Sequence, residues 1–281
     1  MVSVLNAPLI CTELQPFGLA VTGFNVAQVD GHFADQLRNW LGLHGVVVLR
    51  GAFAAAKTLD HLGRDAAFVR FLERLGPMTF TSGETPVAHQ PMLNLVSNVG
   101  RTTPPKSVFH TDTSYVSSPP AYTALRAVTV PEAGGDTVFV NQYAAYDTLP
   151  PAAQQQLANA RVLHKVSGLP TKHLVETECW HPLFKRHPIS GRQALYLSTP
   201  QRCQQLSGYT TTQAQRLIRL LYAHSTRPYR TLHHRWQIND LLIWDNRCTL
   251  HRGDHAAVVG DRVFHRGMVL PVSGGHNPAT T

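Results

Sequence analysis

From Tyr122 to Leu270 the chain is a succession of short apolar runs: "AYTALRAVTV", "DTVFVN", "ARVLHKV", "LFKRHP", "ALYLS", "YRTLHHRWQ", "DLLIW" and "DRVFHRGMVL". Gly, Pro, Asn or Asp punctuate them. Runs this short, rich in β-branched and aromatic residues, read as strands. So many strands must close into a sandwich or barrel to bury a common face. The pattern predicts a mainly β protein with flanking helices. A jelly roll is the expected form, although periodicity alone does not separate it from other sandwiches.

Helices are predicted at His32–Gly45 and Gly63–Gly76, each with apolar residues at helical spacing and a closing glycine. Between them "GVVVLRG" (Gly45–Gly51) reads as a buried strand. "TTTQAQRLIRLLYAHS" (Thr210–Ser225) reads as an amphipathic helix with a threonine cap. A length of 281 residues, 43% of them hydrophobic, permits a sizeable core. No repeat, low-complexity tract or linker interrupts it, so residues 1–281 are expected to form a single domain.

The net charge of +8 comes from dispersed Lys and Arg, with no basic run and no zinc-finger spacing. That distribution speaks against nucleic acid and suits small anionic substrates, which positive clefts concentrate. No window approaches 18 consecutive apolar residues, and the first residues lack a basic segment followed by an apolar one. Cys11, Cys179, Cys203 and Cys248 are far apart and form no CxxC. Together these features lead to the expectation of reduced thiols in a cytoplasmic protein with no membrane partner.

In "VFHTDTSYVSSPP", His110 and Asp112 stand two residues apart. On a strand they would share a face, and their donor atoms could meet on one cation. Alone the pair is weak evidence in a chain with 16 histidines. "LIWDNRCTLHRGDH" adds His251, with Asp254 and His255 nearby. Two histidines and one aspartate make a facial triad, which leaves adjacent positions open on iron(II). A structural zinc site would fill its fourth position with protein and usually prefers Cys. No HExxH is present.

"DRVFHRGMVL" places Arg262 and Arg266 four residues apart, on one face of a strand with Phe264 between them. Inward-facing guanidinium groups need anionic partners. In "PEAGGDTVFVN", Thr137 follows a Gly-Gly-Asp turn that reads locally as a hairpin, and its hydroxyl could share a carboxylate with an arginine.

Taken in order, His110-Thr-Asp112, Pro119-Pro120, Gly134-Gly135-Asp136-Thr137, Trp244-Asp-Asn-Arg-Cys-Thr-Leu-His251, Arg262 and Arg266 resemble the taurine dioxygenase family of iron(II)/2-oxoglutarate-dependent oxygenases. That family includes alkylsulfatase and phenoxyacetate-degrading members. The resemblance runs from about Gly45 to Leu270, and "AAYDTLP" and "HPLFKRHPISGRQALYLS" share it. It implies a double-stranded β-helix, the jelly roll. It also implies that His110, Asp112 and His251 ligate Fe(II), and that Thr137 and Arg262 hold the distal carboxylate of the cosubstrate 2-oxoglutarate. Arg266 would grip the anionic group of the primary substrate, and Trp244 would lie near the iron.

The chain also departs from the pattern. Lys106 stands where the taurine enzyme has a polar amide near the substrate, so it is a candidate second contact. Of the aromatic cluster expected around taurine, only Tyr115 is reproduced, and "VSGLPTKHLVETECW" (Val166–Trp180) aligns poorly where a lid often forms. These departures put taurine itself in doubt, not the metal site.

The resemblance implies oxidation of a small anionic molecule by O2, with release of succinate and CO2. Hydroxylation, cleavage after hydroxylation, desaturation and cyclisation all stay open, whereas Asp112 argues against halogenation. Two other readings fit the same barrel: a metal-dependent hydrolase and a ligand-binding module without turnover. Members of that family often self-associate, but no interface is legible here.

Overall fold

The computed structural model describes residues 8–56, 58–102, 107–168, 171–172 and 174–272. Two sheets face each other across an apolar core. The larger is nine-stranded. At its centre Val46–Leu49, Leu241–Asp245, Tyr122–Thr129 and Val263–Val269 lie side by side. The smaller sheet has Thr137–Asn141 in the middle, between Thr231–His234 and Thr249–Gly253. This is the jelly roll that the strand runs led us to expect.

Alternation explains how the central strands serve two layers. Val46 and Val48 point between the sheets, where they meet Leu125, Phe139, Leu232, Trp236, Leu242, Trp244 and Phe264. Val47 and Leu49 point the other way, into a cluster with Phe33, Leu37 and Leu41 of one helix and Phe68, Phe71 and Leu72 of another. Burial on both faces is why "VVVL" is apolar throughout rather than alternating.

The helices lie close to their predicted limits, at Gly31–His44, His61–Leu75 and Thr211–Ser225. The Asp30 and Asp60 carboxylates accept from the backbone N–H of Phe33 and Gly63, each at 2.8 Å, and so cap two of them. Thr210 and Gln213 form the reciprocal cap of the third. Behind the large sheet, Asp65 is fully buried and binds Arg126, His265 and His89. This network ties the second helix to the strand Val263–Val269.

Strands that the pattern did not reveal extend the sheet edge, among them Ile10–Glu13, Leu19–Thr22 and Gln90–Ser97. Short helices also follow Asn141 and Pro150.

Two local expectations are corrected. The Gly-Gly-Asp turn is not a hairpin: the strand before it belongs to the large sheet and the strand after it to the small one, so it is a corner between sheets. Asp112 is not on a strand. His110 makes a single antiparallel bridge to His251, after which the chain turns, with Thr113 at φ 45°.

Candidate functional site

The bridge between His110 and His251 is the frame of the site. Each donates its backbone N–H to the other's carbonyl at 2.9 Å, which sets the two imidazoles 4.3 Å apart, centroid to centroid. The turn after His110 brings the Asp112 carboxylate across to them. Asp112 Oδ1 lies 3.8 Å from His110 Nε2, and Oδ2 lies 3.7 Å from His251 Nε2. These gaps are too long for hydrogen bonds. A cation bound at about 2.1 Å can join donor atoms up to about 4.2 Å apart, so both gaps suit one ion.

Protonation agrees with that reading. The Val108 carbonyl accepts from His110 Nδ1 at 2.9 Å, so the proton sits there and Nε2 keeps its lone pair. Burial pushes the His110 imidazole below its ordinary pKa against the pull of Asp112, and takes His251 down to about 3. Burial alone would raise the Asp112 carboxyl. His251, Arg266, His110 and the Thr123 hydroxyl outweigh it and hold that group well below the usual carboxylate range. Two neutral imidazoles and a carboxylate are the states a metal needs.

A chain of hydrogen bonds orients the carboxylate. Trp244 Nε1 donates to Asn246 Oδ1 at 3.1 Å, so the Asn246 amide must present its nitrogen to Thr123. That nitrogen donates to Thr123 Oγ1 at 2.8 Å, which leaves the Thr123 proton for Asp112 Oδ2 at 2.7 Å. Trp244 also lies 4.5 Å from the His251 ring, while it remains part of the core. His251 Nδ1 has no hydrogen-bond partner among the described residues, so packing against Trp244 and Phe139 sets that ring. Thr123 and Asn246 were not singled out by sequence. Asn246 lies inside the Trp-Asp-Asn-Arg stretch, whereas nothing local marks Thr123.

Arg262 and Thr137 are both buried. The Arg262 guanidinium lies 4.3 Å over the Phe264 ring, and its Nε donates to the Gly135 carbonyl at 2.9 Å. No carboxylate among the described residues pairs with it, and burial pulls its pKa down to about 10. The Thr137 hydroxyl accepts from Trp236 Nε1 at 3.0 Å, and Trp236 packs on Phe264 at 4.3 Å. A buried guanidinium that Asp136 acts on without pairing, with a hydroxyl on the same aromatic wall, fits an incoming carboxylate.

Arg266 reaches the metal side of the barrel, with Nη1 3.7 Å from Asp112 Oδ1. Its other amino group pairs with Glu84, which sequence did not single out. Tyr115 is buried, with the Arg202 guanidinium 5.5 Å over its ring. Lys106 lies outside the described residues. Asp254 and His255 lie outside the triad, and Asp254 is 3.7 Å from Arg252.

A second cluster, His187, Asp245 and Cys248, also gathers donor atoms. Its groups are already committed. The His187 Nδ1 accepts from Ile189 N and Ser190 N, so Nε2 is the protonated atom and donates to Asp245 at 2.9 Å. Arg247 takes both Asp245 oxygens. No imidazole lone pair is left there for a metal. All four cysteines are free thiols.

Residues 11–268 match the family model described as "Taurine catabolism dioxygenase TauD, TfdA family". The chain is 32% identical over 174 residues to the alpha-ketoglutarate-dependent 2,4-dichlorophenoxyacetate dioxygenase of Burkholderia sp. (strain RASC), covering 58% of each. It is 35% identical over 162 residues to the alpha-ketoglutarate-dependent sulfate ester dioxygenase of Pseudomonas putida, covering 51% of this chain and 52% of that one. The matches therefore span little more than half the length of these two relatives. The crystal structure of a taurine dioxygenase from Burkholderia xenovorans superposes with a TM-score of 0.79 at 26% identity, covering 94% of this chain and 92% of that one.

Proposed function

The chain belongs to the TauD, TfdA dioxygenase family, and from that premise we propose that it is an Fe(II)- and 2-oxoglutarate-dependent dioxygenase. It oxidises a small, anionic organic molecule, with release of succinate and CO2. The observation that carries this reading is the convergence of a ring nitrogen of His110, a ring nitrogen of His251 and an Asp112 oxygen within 4.8 Å of one another, both Nε2 atoms facing the carboxylate.

In this reading His110, Asp112 and His251 hold Fe(II), and Arg262 with Thr137 holds the distal carboxylate of 2-oxoglutarate. Iron and 2-oxoglutarate supply the activation of O2 when bound. The protein supplies position. Thr123 and Asn246 fix the carboxylate, Trp244 and Phe139 fix His251, and the Phe264–Trp236 wall keeps water from the Arg262 guanidinium. Arg266 and Tyr115 border the side left for the primary substrate. A single domain contains the whole site, since both sheets contribute ligands or anchors to it. No helix among the described residues is long and apolar enough to cross a membrane.

The test is a panel of small sulfonates, sulfate esters, aryloxy acids and amino-acid-derived acids, with succinate measured under air in the presence of iron and 2-oxoglutarate. Substrate-dependent succinate supports the proposal. Hydrolysis of a panel member without oxygen or 2-oxoglutarate would indicate a metal-dependent hydrolase instead.

A further inference from the structure

Three guanidinium groups define the charge of this site, and they differ in what they hold. Arg262 is reserved for 2-oxoglutarate in the reading above, on which the present inference rests. Arg266 is doubly occupied, by Glu84 and by the nearby Asp112 carboxylate. Glu84 therefore offsets its charge before any substrate arrives, whereas Asp112 is committed to the metal. Arg202 has no carboxylate partner among the described residues.

Arg202 is nonetheless built into the site. It follows a turn in which its backbone N–H donates to the Thr199 carbonyl at 2.9 Å. Its Nη1 donates to the carbonyl of Thr111, the residue between the ligands His110 and Asp112, at 2.9 Å. Its guanidinium lies over the Tyr115 ring, and its Nε is buried without a partner. Arg202 is half-buried, and a guanidinium with an unpartnered Nε beside a metal site is placed to donate a charge-assisted hydrogen bond to an incoming anion.

We propose that Arg202, stacked on Tyr115, receives the anionic group of the primary substrate, while the Glu84–Arg266 pair keeps Arg266 from that task. The substrate class that follows is an organic monoanion, a carboxylate, sulfonate or sulfate, whose charge lies toward Thr111 and Tyr115. Relatives named for 2,4-dichlorophenoxyacetate and for sulfate esters act on such anions.

The experiment measures anaerobic binding of 2,4-dichlorophenoxyacetate, hexyl sulfate and taurine by calorimetry, to protein loaded with Fe(II) and 2-oxoglutarate. The tightest of the three is carried into the variants. Arg202→Gln should weaken it about tenfold or more, the effect of losing a charge-assisted hydrogen bond, while 2-oxoglutarate affinity stays unchanged. Arg202→Lys should recover part of the loss, and Arg266→Gln should cost less than Arg202→Gln. Glu84→Gln lies on a turn outside the core. It should tighten binding, because it frees Arg266.

The inference is overturned if Arg266→Gln carries the loss and Arg202→Gln does not, or if Glu84→Gln leaves affinity unchanged. It is also overturned if none of the three anions binds the wild type. In each of these cases retained iron and 2-oxoglutarate binding leaves the dioxygenase reading standing. Failure to bind iron and 2-oxoglutarate removes both.

Discussion

The Thr123 hydroxyl donates its proton to Asp112 Oδ2 at 2.7 Å, because the Asn246 amide nitrogen already donates to Thr123 Oγ1. Groups that orient a metal-binding carboxylate in this way typically contribute 10- to 100-fold, roughly, to metal affinity. Thr123→Val keeps the shape and removes the proton. It should weaken Fe(II) binding by about that factor, while Thr123→Ser stays near the wild type. Anaerobic metal titration checks both.

Arg262 is the buried cation on the Phe264 face. Arg262→Met fills similar space without charge. It should raise the 2-oxoglutarate concentration needed for half-maximal succinate formation by about tenfold or more, the scale of a lost charge-assisted bond. Fe(II) affinity should hold. Equal losses in both would show that the residue supports the barrel rather than the cosubstrate.

Gly134 turns the corner between the sheets at φ 68°, and an added Cβ would stand 2.4 Å from the Ala257 carbonyl oxygen. Both the backbone conformation and the clash with main chain act against a side chain. Gly134→Ala should lower stability by about 1–3 kcal/mol, seen as a lower thermal midpoint. Because Thr137 and the Gly135 carbonyl follow this corner, 2-oxoglutarate affinity should fall as well.

Acid sensitivity has a legible source in His234. Burial and the nearby Arg50 charge hold this imidazole down at about 3, against an ordinary value of 6.5. The unfolded chain therefore takes up a proton that the folded chain refuses. That contribution to stability is complete above about 6.5 and is lost as pH falls from there toward 3, at about 1.4 kcal/mol per pH unit in mid-window. His234→Leu should flatten this part of the pH–stability curve in chemical denaturation, and an unchanged slope would assign the sensitivity elsewhere.

Strands buried on both faces were legible. "DLLIW" and "VVVL" carry their burial in their composition. Ile10–Glu13 was not legible because every residue in it is exposed, and Gln90–Ser97 because its burial does not alternate. The three triad residues and the two arginines could be singled out by their combined order along the chain, which resembles the family's, since each spacing alone is weak. Their convergence could not be read from local pattern, since Asp112 reaches its partners from a turn rather than a pleat.

Glu84, Thr123 and Arg202 were missed for one reason. Each acts through a partner brought to it by the fold: Arg266 is 182 residues from Glu84, and Asn246 is 123 from Thr123. The Thr111 carbonyl is likewise 91 residues from Arg202.

The central claim is that one ferrous ion is held by His110, Asp112 and His251. Anaerobic Fe(II) titration of the wild type and of Asp112→Ala, each with 2-oxoglutarate, tests it most directly. The expected result is tight uptake of about one iron per chain in the wild type and loss of that uptake in Asp112→Ala, with the variant still folded by circular dichroism. Undiminished iron uptake and succinate formation in Asp112→Ala would contradict it.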